Sequence, residues 1–267
     1  MATLSHRNWL APLAQGRYAY VQELVLHLAK RELDSRHRWT LLGWAWPLAR
    51  VLAQLAVLVF IFSSVFDLGI DNYAVFVFSG LIAFGWFATG VADATSSLLS
   101  KRHLVFQPGF PTAVVPVVSV AVPFADVLIA LPVLVVMLAV SGELGPEALV
   151  FLPLLIVQFV LMSGIAWLAS ALTVYLRDVP NVVTVGLTLL FYMTPVFYSL
   201  GRVPEEYRWV LELNPLGTLI ESYRWALLGG DFPGALQFWG SVAASFALAV
   251  IGLAVFRRLR PGFVDEL

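Results

Sequence analysis

The side chains most able to do chemistry in this sequence are charged residues crowded against a long apolar run. Residues 31–38 read RELDSRHR, and residues 41–66 continue LLGWAWPLARVLAQLAVLVFIFSSVF, where Arg50 is the only charge. Charges of both signs give a protein–protein interface its specificity, whereas a helix that only anchors to lipid is rich in Lys and Arg. The mixed signs therefore favour a surface that docks another protein over a generic anchor.

A helix placed on the residues before this run would separate the charges from an apolar face. At 100° per residue, the apolar face holds Val21, Leu24, Val25, Leu28, Ala29 and Leu33. Such a helix is too polar to cross a bilayer and is expected to lie in its interface. Glu32 is the main exception to the polar face. The candidate docking residues of this segment are Glu23, His27, Lys30, Arg31, Asp34, Arg36 and Arg38.

A second charged segment interrupts the apolar pattern at residues 98–111, LLSKRHLVFQPGFP. Its Pro and Gly residues break the helices on either side, and Lys101, Arg102 and His103 stand within it. On physical grounds this segment is equally a simple loop or a short docking element. The turn VYLRDVPN, residues 174–181, is adequately explained as a place where charge returns to water.

Catalytic chemistry finds no support in these residues. The sequence contains no cysteine, and its four histidines, at positions 6, 27, 37 and 103, do not have the spacing of a metal site. It also lacks a glycine-rich phosphate loop. We therefore expect a non-catalytic chain that binds no cofactor, metal or nucleic acid itself and takes its energy from a partner.

The composition predicts that membrane helices position these charges. Hydrophobic residues make up 60% of the chain and charged residues 12%, with a mean hydropathy of +0.86, whereas soluble domains carry about 25% charged residues. A spanning helix needs about 20 apolar residues. Six segments meet or approach that length: 42–66, 73–97, 112–140, 148–176, 181–200 and 235–256. The sequence thus predicts one all-α integral membrane domain with six transmembrane helices.

The placement of Lys and Arg predicts the orientation of these helices. With the N-terminus inside, residues 1–41, 98–111, 177–180 and 257–267 face the cytoplasm, and they hold twelve of the sixteen basic residues. The outer connections hold only three. We therefore expect a multi-pass protein of the cytoplasmic membrane with both termini in the cytosol.

Three ionisable residues fall inside the predicted spans: Arg50, Asp93 and Asp126. Each costs about 3 kcal/mol at the centre of a membrane helix, so each should face protein or water. Arg50 and Asp93 are close enough to the inner surface to reach it, whereas Asp126 is a candidate for a polar pathway or an interhelical bond. A proton relay would want more such groups, which disfavours ion-coupled transport.

The long outer connection at 201–234 is too apolar for an open loop. Its periodicity predicts two short amphipathic helices separated by Asn214-Pro215. Backbone groups inside a membrane must be satisfied internally, as they are in helices. We expect these two re-entrant helices to dip into the outer leaflet and to roof the domain.

Residues 175–230, YLRDVPNVVTVGLTLLFYMTPVFYSLGRVPEEYRWVLELNPLGTLIESYRWALLGG, resemble the permease subunits of ABC exporters of cell-surface polysaccharides. RELDSRHRWTLLGWAWPL and SGLIAFGWFATG resemble the same family's first and second spans. The O-antigen exporter permease is most similar, followed by the teichoic-acid exporter permease. The resemblance implies two copies of this chain with two cytosolic ATPase subunits, which hold ATP and Mg²⁺. The implied substrate is a polysaccharide on an undecaprenyl diphosphate lipid.

The resemblance also implies roles for particular residues. The N-terminal helix and a coupling helix at about 97–106, with Lys101, Arg102 and His103, would dock the ATPase. Spans one, two and five would line a conduit. Its predicted contacts, together with the polar Asp126, are Phe84, Trp86, Phe87, Phe191, Tyr192 and Phe197. The outer helices, about 204–228, would gate the exit, with Pro204, Tyr207, Asn214, Pro215, Tyr223 and Arg224 as candidates. Arg177 and Asp178 belong to the family motif, whereas Gln107 stands where the family usually has a basic residue.

Two other functions fit part of the pattern. A permease of the same superfamily could export drugs or small lipids instead. A membrane-embedded transferase for lipid-linked sugars should cluster carboxylate, His or Arg side chains at one face, but the only outer cluster, 202–212, contains no histidine. A neighbouring ATPase gene among glycosyltransferase genes would distinguish the polysaccharide exporter.

Overall fold

The computed structural model describes residues 17–36, 43–66, 69–143, 145–229 and 232–267, and these residues form helices joined by turns. In chain order the helices are α1 (Arg17–Arg36), α2 (Ala45–Val59, continued by a π-helical segment at Phe60–Val65), α3 (Tyr73–Thr95), α4 (Ser97–Ser100), α5 (Arg102–Val105), α6 (Val114–Ala121), α7 (Phe124–Ser141), α8 (Phe151–Tyr175), α9 (Val179–Met193), α10 (Glu205–Glu212), α11 (Pro215–Leu228), α12 (Ala235–Leu259) and α13 (Phe263–Glu266).

Five helical stretches among the described residues are long and apolar enough to cross a membrane. They are Ala45–Ser63, Tyr73–Thr95, Val114–Ser141, Ala148–Tyr175 and Ala235–Glu266. Each overlaps one of the six predicted spans. The predicted all-α class is therefore confirmed, and the five stretches have the length and composition of an integral membrane protein.

The remaining predicted span, 181–200, differs from the structure. Helix α9 has 15 residues and, at 1.5 Å per residue, is about 22 Å long, which is shorter than the roughly 30 Å hydrocarbon core. Pro195 disfavours a helical conformation at the residue before it, and Thr194 is extended, with φ −103° and ψ 136°. The helix therefore ends at Met193, before the predicted end of the span at residue 200.

Helix α3 is the centre of the fold. It packs against α2, α6, α7, α8 and α11, and most of its residues are buried, as expected for a helix that is apolar around its whole circumference. In α2, by contrast, Leu55 alone is buried, and none of the fifteen residues of α9 is. Helices α2 and α9 thus keep broad apolar faces outside this core.

Helices α8 and α12 form the most extensive helix pair of the described chain. Gly164 of α8 faces Gly252 of α12, and a Cβ on Gly252 would collide with the carbonyl oxygen of Gly164. Membrane helices rely on such close backbone approach, because lipid provides no hydrophobic drive for their association. The two glycines therefore set the spacing of this pair.

Replacing Gly252 with alanine is expected to destabilise the fold by about 1–3 kcal/mol, the usual range for overpacking. Gly240→Ala on the same helix is the matched control, because nothing lies within 4 Å of a Cβ at that position. Thermal unfolding of the two purified variants in detergent measures the difference. Equal midpoints would contradict the close contact.

Candidate functional site

Five charged residues meet beside the C-terminal end of α1 and form the charge cluster. They are Glu32, Arg36, Asp93, Lys101 and Asp126. Arg36 donates a hydrogen bond to the carboxylate of Asp93 and lies 3.9 Å from Oδ2 of Asp126. Lys101 donates to Glu32 and, at 3.1 Å, to the hydroxyl of Ser119. The charge cluster thereby fastens α1 to α3, α6 and α7.

The charge cluster explains the two carboxylates inside predicted spans. Asp93 and Asp126 share the guanidinium of Arg36, so Asp126 takes part in an interhelical ion pair, one of its two predicted roles. The Arg36 side chain is 22% exposed and that of Asp93 is 37% exposed. Because these groups keep part of their hydration, pairing mainly offsets the cost of placing them near the membrane and adds modest stability.

The predicted docking residues separate into two groups. Those exposed on α1 are Glu23, His27, Lys30, Arg31 and Asp34. Arg102 and His103 are also exposed, on α5. We call these seven residues the docking surface. Arg36 and Lys101, in contrast, turn toward the chain's own helices, and Arg38 lies outside the described residues.

The docking surface rests on a shared apolar support. Leu24 and Leu28, from the predicted apolar face of α1, pack against a buried cluster that includes Leu98, Val105 and Phe256. Leu98 belongs to α4 and Val105 to α5, so α1 and both short helices pack against the same cluster. The first half of the segment 98–111 is therefore helical and packed, and residues 106–109 are exposed turns. The packed helices favour a docking element over a simple loop.

The turn between α8 and α9, where the family motif was predicted, contacts the C-terminal residues. Arg177 donates a hydrogen bond to the carbonyl of Glu266 at 3.2 Å, and the hydroxyl of Tyr175 donates to the carbonyl of Leu259 at 2.8 Å. Asp178 is exposed immediately before α9. In this structure Arg177 joins the α8–α9 turn to α13.

Helices α10 and α11, which we call the cap, cover the opposite end of α3. Asn214 begins α11: its side-chain oxygen accepts from the N–H of Leu216 at 3.1 Å, and its amide donates to Thr194 at 2.9 Å. Pro215 follows as the first helical residue, where its missing N–H carries no cost. The two predicted short helices are therefore present, with α11 mostly buried and α10 mostly exposed.

A chain of hydrogen bonds anchors the cap in the core. The hydroxyl of Tyr223, which is fully buried, donates to the side-chain oxygen of Gln158 at 2.7 Å. The amide of Gln158 donates in turn to the carbonyl of Ala83 at 2.8 Å. Satisfied buried networks of this kind hold their elements in one arrangement. Helices α11, α8 and α3 are thereby joined.

Arg224 fixes the turn after α9 to the cap. It is 4% exposed and donates hydrogen bonds to the carbonyls of Pro195 and Val196. It also donates to the carboxylate of Glu221 at 2.7 Å, and its guanidinium lies 3.5 Å from the ring centre of Phe76. Burial raises the pKa of the Glu221 carboxyl, and the nearby Arg224 opposes that rise.

The six predicted gate residues occupy different environments. Tyr223 and Arg224 are buried, and Asn214 and Pro215 are half-buried where α10 meets α11. Pro204 and Tyr207 are exposed at the start of α10. The buried residues hold the cap to the core. Because the residues at the start of α10 are exposed, α10 is held less firmly than α11.

Four of the predicted conduit residues form one aromatic cluster. They are Phe84, Phe191, Tyr192 and Phe197. The ring of Phe191 lies 5.1 Å from that of Phe84 and 5.7 Å from that of Phe197, and Tyr192 is 62% exposed at the edge. Phe87 is buried behind Phe84, whereas the buried Trp86 points away, with its indole N–H donating to the carbonyl of Val120 at 3.0 Å.

A protein-family model described as ABC-2 type transporter matches residues 23–228. That range covers more than half of the chain and runs from the docking surface to the end of the cap. The chain belongs to the ABC-2 type transporter family. Both the charge cluster and the cap therefore lie in the part that this ABC-2 chain shares with its family.

Three relatives match almost the whole length of this ABC-2 chain. The O-antigen export system permease protein RfbA of Klebsiella pneumoniae is 30% identical over 93% of this chain and 96% of its own. The protein of the same name from Myxococcus xanthus is 28% identical over 96% and 99%. The polysialic acid transport protein KpsM of Escherichia coli is 23% identical over 92% and 96%. The predicted resemblance to O-antigen exporter permeases is confirmed.

Sequence reasoning missed two residues that position these sites. Glu32 lies on the apolar face of α1, and that irregularity was the available signal for its bond to Lys101. Gln158 is a lone amide in a strongly apolar span and is fully buried. Because buried amides are nearly always hydrogen-bonded, its presence alone signalled a partner in a neighbouring helix.

Proposed function

We propose that this chain is the membrane subunit of an ATP-driven exporter of undecaprenyl diphosphate-linked polysaccharide, of the O-antigen type. The observation that carries the proposal is the 30% identity to an O-antigen export permease over 93% of this chain. The more distant relative is named for the transport of polysialic acid, another polysaccharide. Both names favour a glycan substrate over a drug or a small lipid.

The proposed assembly contains two copies of this chain and two ATPase subunits in the cytosol, which bind ATP and Mg²⁺. The broad apolar faces of α2 and α9 support a second copy, with a conduit between them. Residues 194–199 complete a sixth crossing after α9, which places both termini in the cytosol and the cap in the outer leaflet. The membrane is the inner one.

In this assembly the docking surface contacts the ATPase, and the charge cluster passes its movement to the spans. The contacts of Arg36 support this route, because one side chain links α1 to both α3 and α7. The aromatic cluster offers apolar rings to the faces of passing sugars. The cap forms the exit gate, with α10 as its movable part.

Lys30→Glu combined with Arg31→Glu is expected to weaken co-purification of the ATPase and to reduce glycan export. Both residues are exposed on α1, so the reversal changes the charge of the docking surface and leaves the core intact. Cells that lack the native gene are complemented with the variant. ATPase recovery from the solubilised membrane and surface glycan are then measured.

The matched control reverses Arg257 and Arg258, an exposed basic pair at the end of α12. It applies the same change of charge outside the docking surface. This control should keep ATPase recovery near the wild-type value. Wild-type recovery in the Lys30/Arg31 variant as well would exclude the proposed docking role of α1.

A further inference from the structure

A cavity of about 360 Å³ lies between α2, α3 and α7, beside the end of α1. Its volume falls in the range of small-molecule pockets, roughly 300–1,000 Å³. Its wall includes Trp46, Arg50, Gln54, Trp86 and Asp126. Helix α9 contributes nothing to this wall, so the cavity is separate from the aromatic cluster.

Arg50 gives the cavity a cation that is available to a ligand. It makes no hydrogen bond or ion pair with any residue that the structure describes, whereas Arg36, the other arginine of the wall, binds Asp93. A cation within an apolar helix is costly unless an anion or water meets it. Arg50 lies five residues after the start of α2, about 8 Å along the helix. That depth suits a lipid phosphate.

The rest of the wall suits a sugar. Trp46 is 48% exposed and offers an indole face, against which the C–H groups on one side of a sugar ring can pack. The carboxylate of Asp126 accepts hydrogen bonds from hydroxyls, and the amide of Gln54 both donates and accepts them. A cation, a carboxylate, an amide and an indole together match a headgroup that carries phosphate and a sugar ring.

We propose that this cavity binds the sugar phosphate headgroup of a lipid, with a phosphate on Arg50 and the adjoining sugar between Trp46 and Asp126. The choice of lipid rests on the proposed export function. Each copy of the chain then holds its own headgroup site. A glycerol phosphate headgroup shares the phosphate chemistry, and the experiment separates these two sources.

Binding is measured by native mass spectrometry of the purified full-length chain in detergent. The probe is undecaprenyl diphosphate N-acetylglucosamine, and phosphatidylglycerol and phosphatidylcholine are the comparison lipids. Arg50→Gln removes the cation. Gly85→Leu fills the cavity, because Gly85 lines the wall and nothing lies within 4 Å of a Cβ there. The controls are Arg257→Gln, an exposed arginine of α12, and Gly240→Leu, an equally open glycine.

Arg50→Gln is expected to lower the affinity for the probe about tenfold, the loss of roughly one charge-assisted hydrogen bond. Gly85→Leu should lower it at least as much because the new side chain occupies the cavity, while both controls keep it. The probe should also bind more tightly than phosphatidylglycerol. Equal affinity for phosphatidylglycerol would overturn the sugar assignment. An equal loss in Arg257→Gln would show general surface attraction and overturn the site. Unfolding midpoints near the wild-type value establish that each variant is folded.

The headgroup site and the export function can be refuted independently of each other. If the cavity variants bind the probe normally but loss of the gene removes surface glycan, the site is wrong and the export function stands. If wild-type chain binds the probe through Arg50 but loss of the gene leaves surface glycan unchanged, the export function is wrong and the site stands.

Discussion

Arg36→Glu is expected to abolish glycan export while the chain still inserts into the membrane. The change removes the partner of Asp93 and Asp126 and adds a third carboxylate beside them. Breaking a partly exposed pair of this kind costs about 1–3 kcal/mol, less than a fully buried pair. The lost ion pair joined α1 to α3, so α1 should separate from the membrane helices. Movements of the ATPase should then no longer reach those helices.

The charge-swapped variant Arg36→Glu with Asp93→Arg is the decisive companion. It restores opposite charges between α1 and α3, and the new arginine also lies near Asp126, so export should recover in part. Arg257→Glu, an exposed arginine at the end of α12 and outside the docking surface, is the matched control for charge alone. Surface glycan and membrane content of the chain are measured for each. Normal export by Arg36→Glu, or no recovery by the swap, would contradict the role of the charge cluster.

Arg224→Met is expected to destabilise the fold by about 3–5 kcal/mol, more than Arg36→Glu does. The change leaves the carboxylate of Glu221 without its cation in a largely buried site. The carbonyls of Pro195 and Val196 also lose their donor. The turn after α9 should loosen from the cap. Thermal unfolding in detergent measures the stability, and leakage of a small anionic dye through proteoliposomes measures the opening.

Glu221→Gln in the Arg224→Met background should restore part of the lost stability, because no buried charge then remains unpaired. The control is Arg208→Met in α10, whose side chain is 36% exposed and lies 3.9 Å from Glu205. Arg208 also donates to the carbonyls of Val203 and Gly201, which water can replace at this partly exposed site, so its loss should cost about 1 kcal/mol, well below the cost of Arg224→Met. If Arg208→Met and Arg224→Met unfold at the same temperature, Arg224 does not fix the cap.

The main elements of the fold could be predicted because each has a local sequence signal. The polar and apolar faces of α1 follow from its 3.6-residue period, and five membrane-length helices follow from hydropathy. Asn214-Pro215 predicted the break between α10 and α11, because an asparagine cap followed by proline is a helix start. None of these features depends on contacts between residues that are far apart in the sequence.

The partners of individual charges could not be predicted. At 100° per residue Arg36 falls on the apolar face of α1, close to Glu32, and nothing on that helix indicates that it pairs with Asp93, 57 residues away. Only the packing of α1 on α6, which itself packs on α3, brings the two together. Arg224 is similar: the family resemblance implied a place in an outer gate, and its burial follows from α11 packing against α3. Spacing along the chain carries no information about such long-range pairs.

The prediction for α9 differs for another reason: the end of this helix was placed by apolar composition alone. Residues 181–200 are apolar enough for a full span, but Thr194-Pro195 ends the helix earlier. The proline was a visible local signal. It lay inside an apolar run long enough to suggest an unbroken helix.

Deletion of the gene, with chemical analysis of cell-surface and cell-internal polysaccharide, tests the exporter function most directly. Export by this chain predicts that the surface polymer disappears, that lipid-linked polymer accumulates inside the cell, and that a plasmid copy of the wild-type gene reverses both changes. An unchanged surface polysaccharide with no internal polymer would contradict the proposed function.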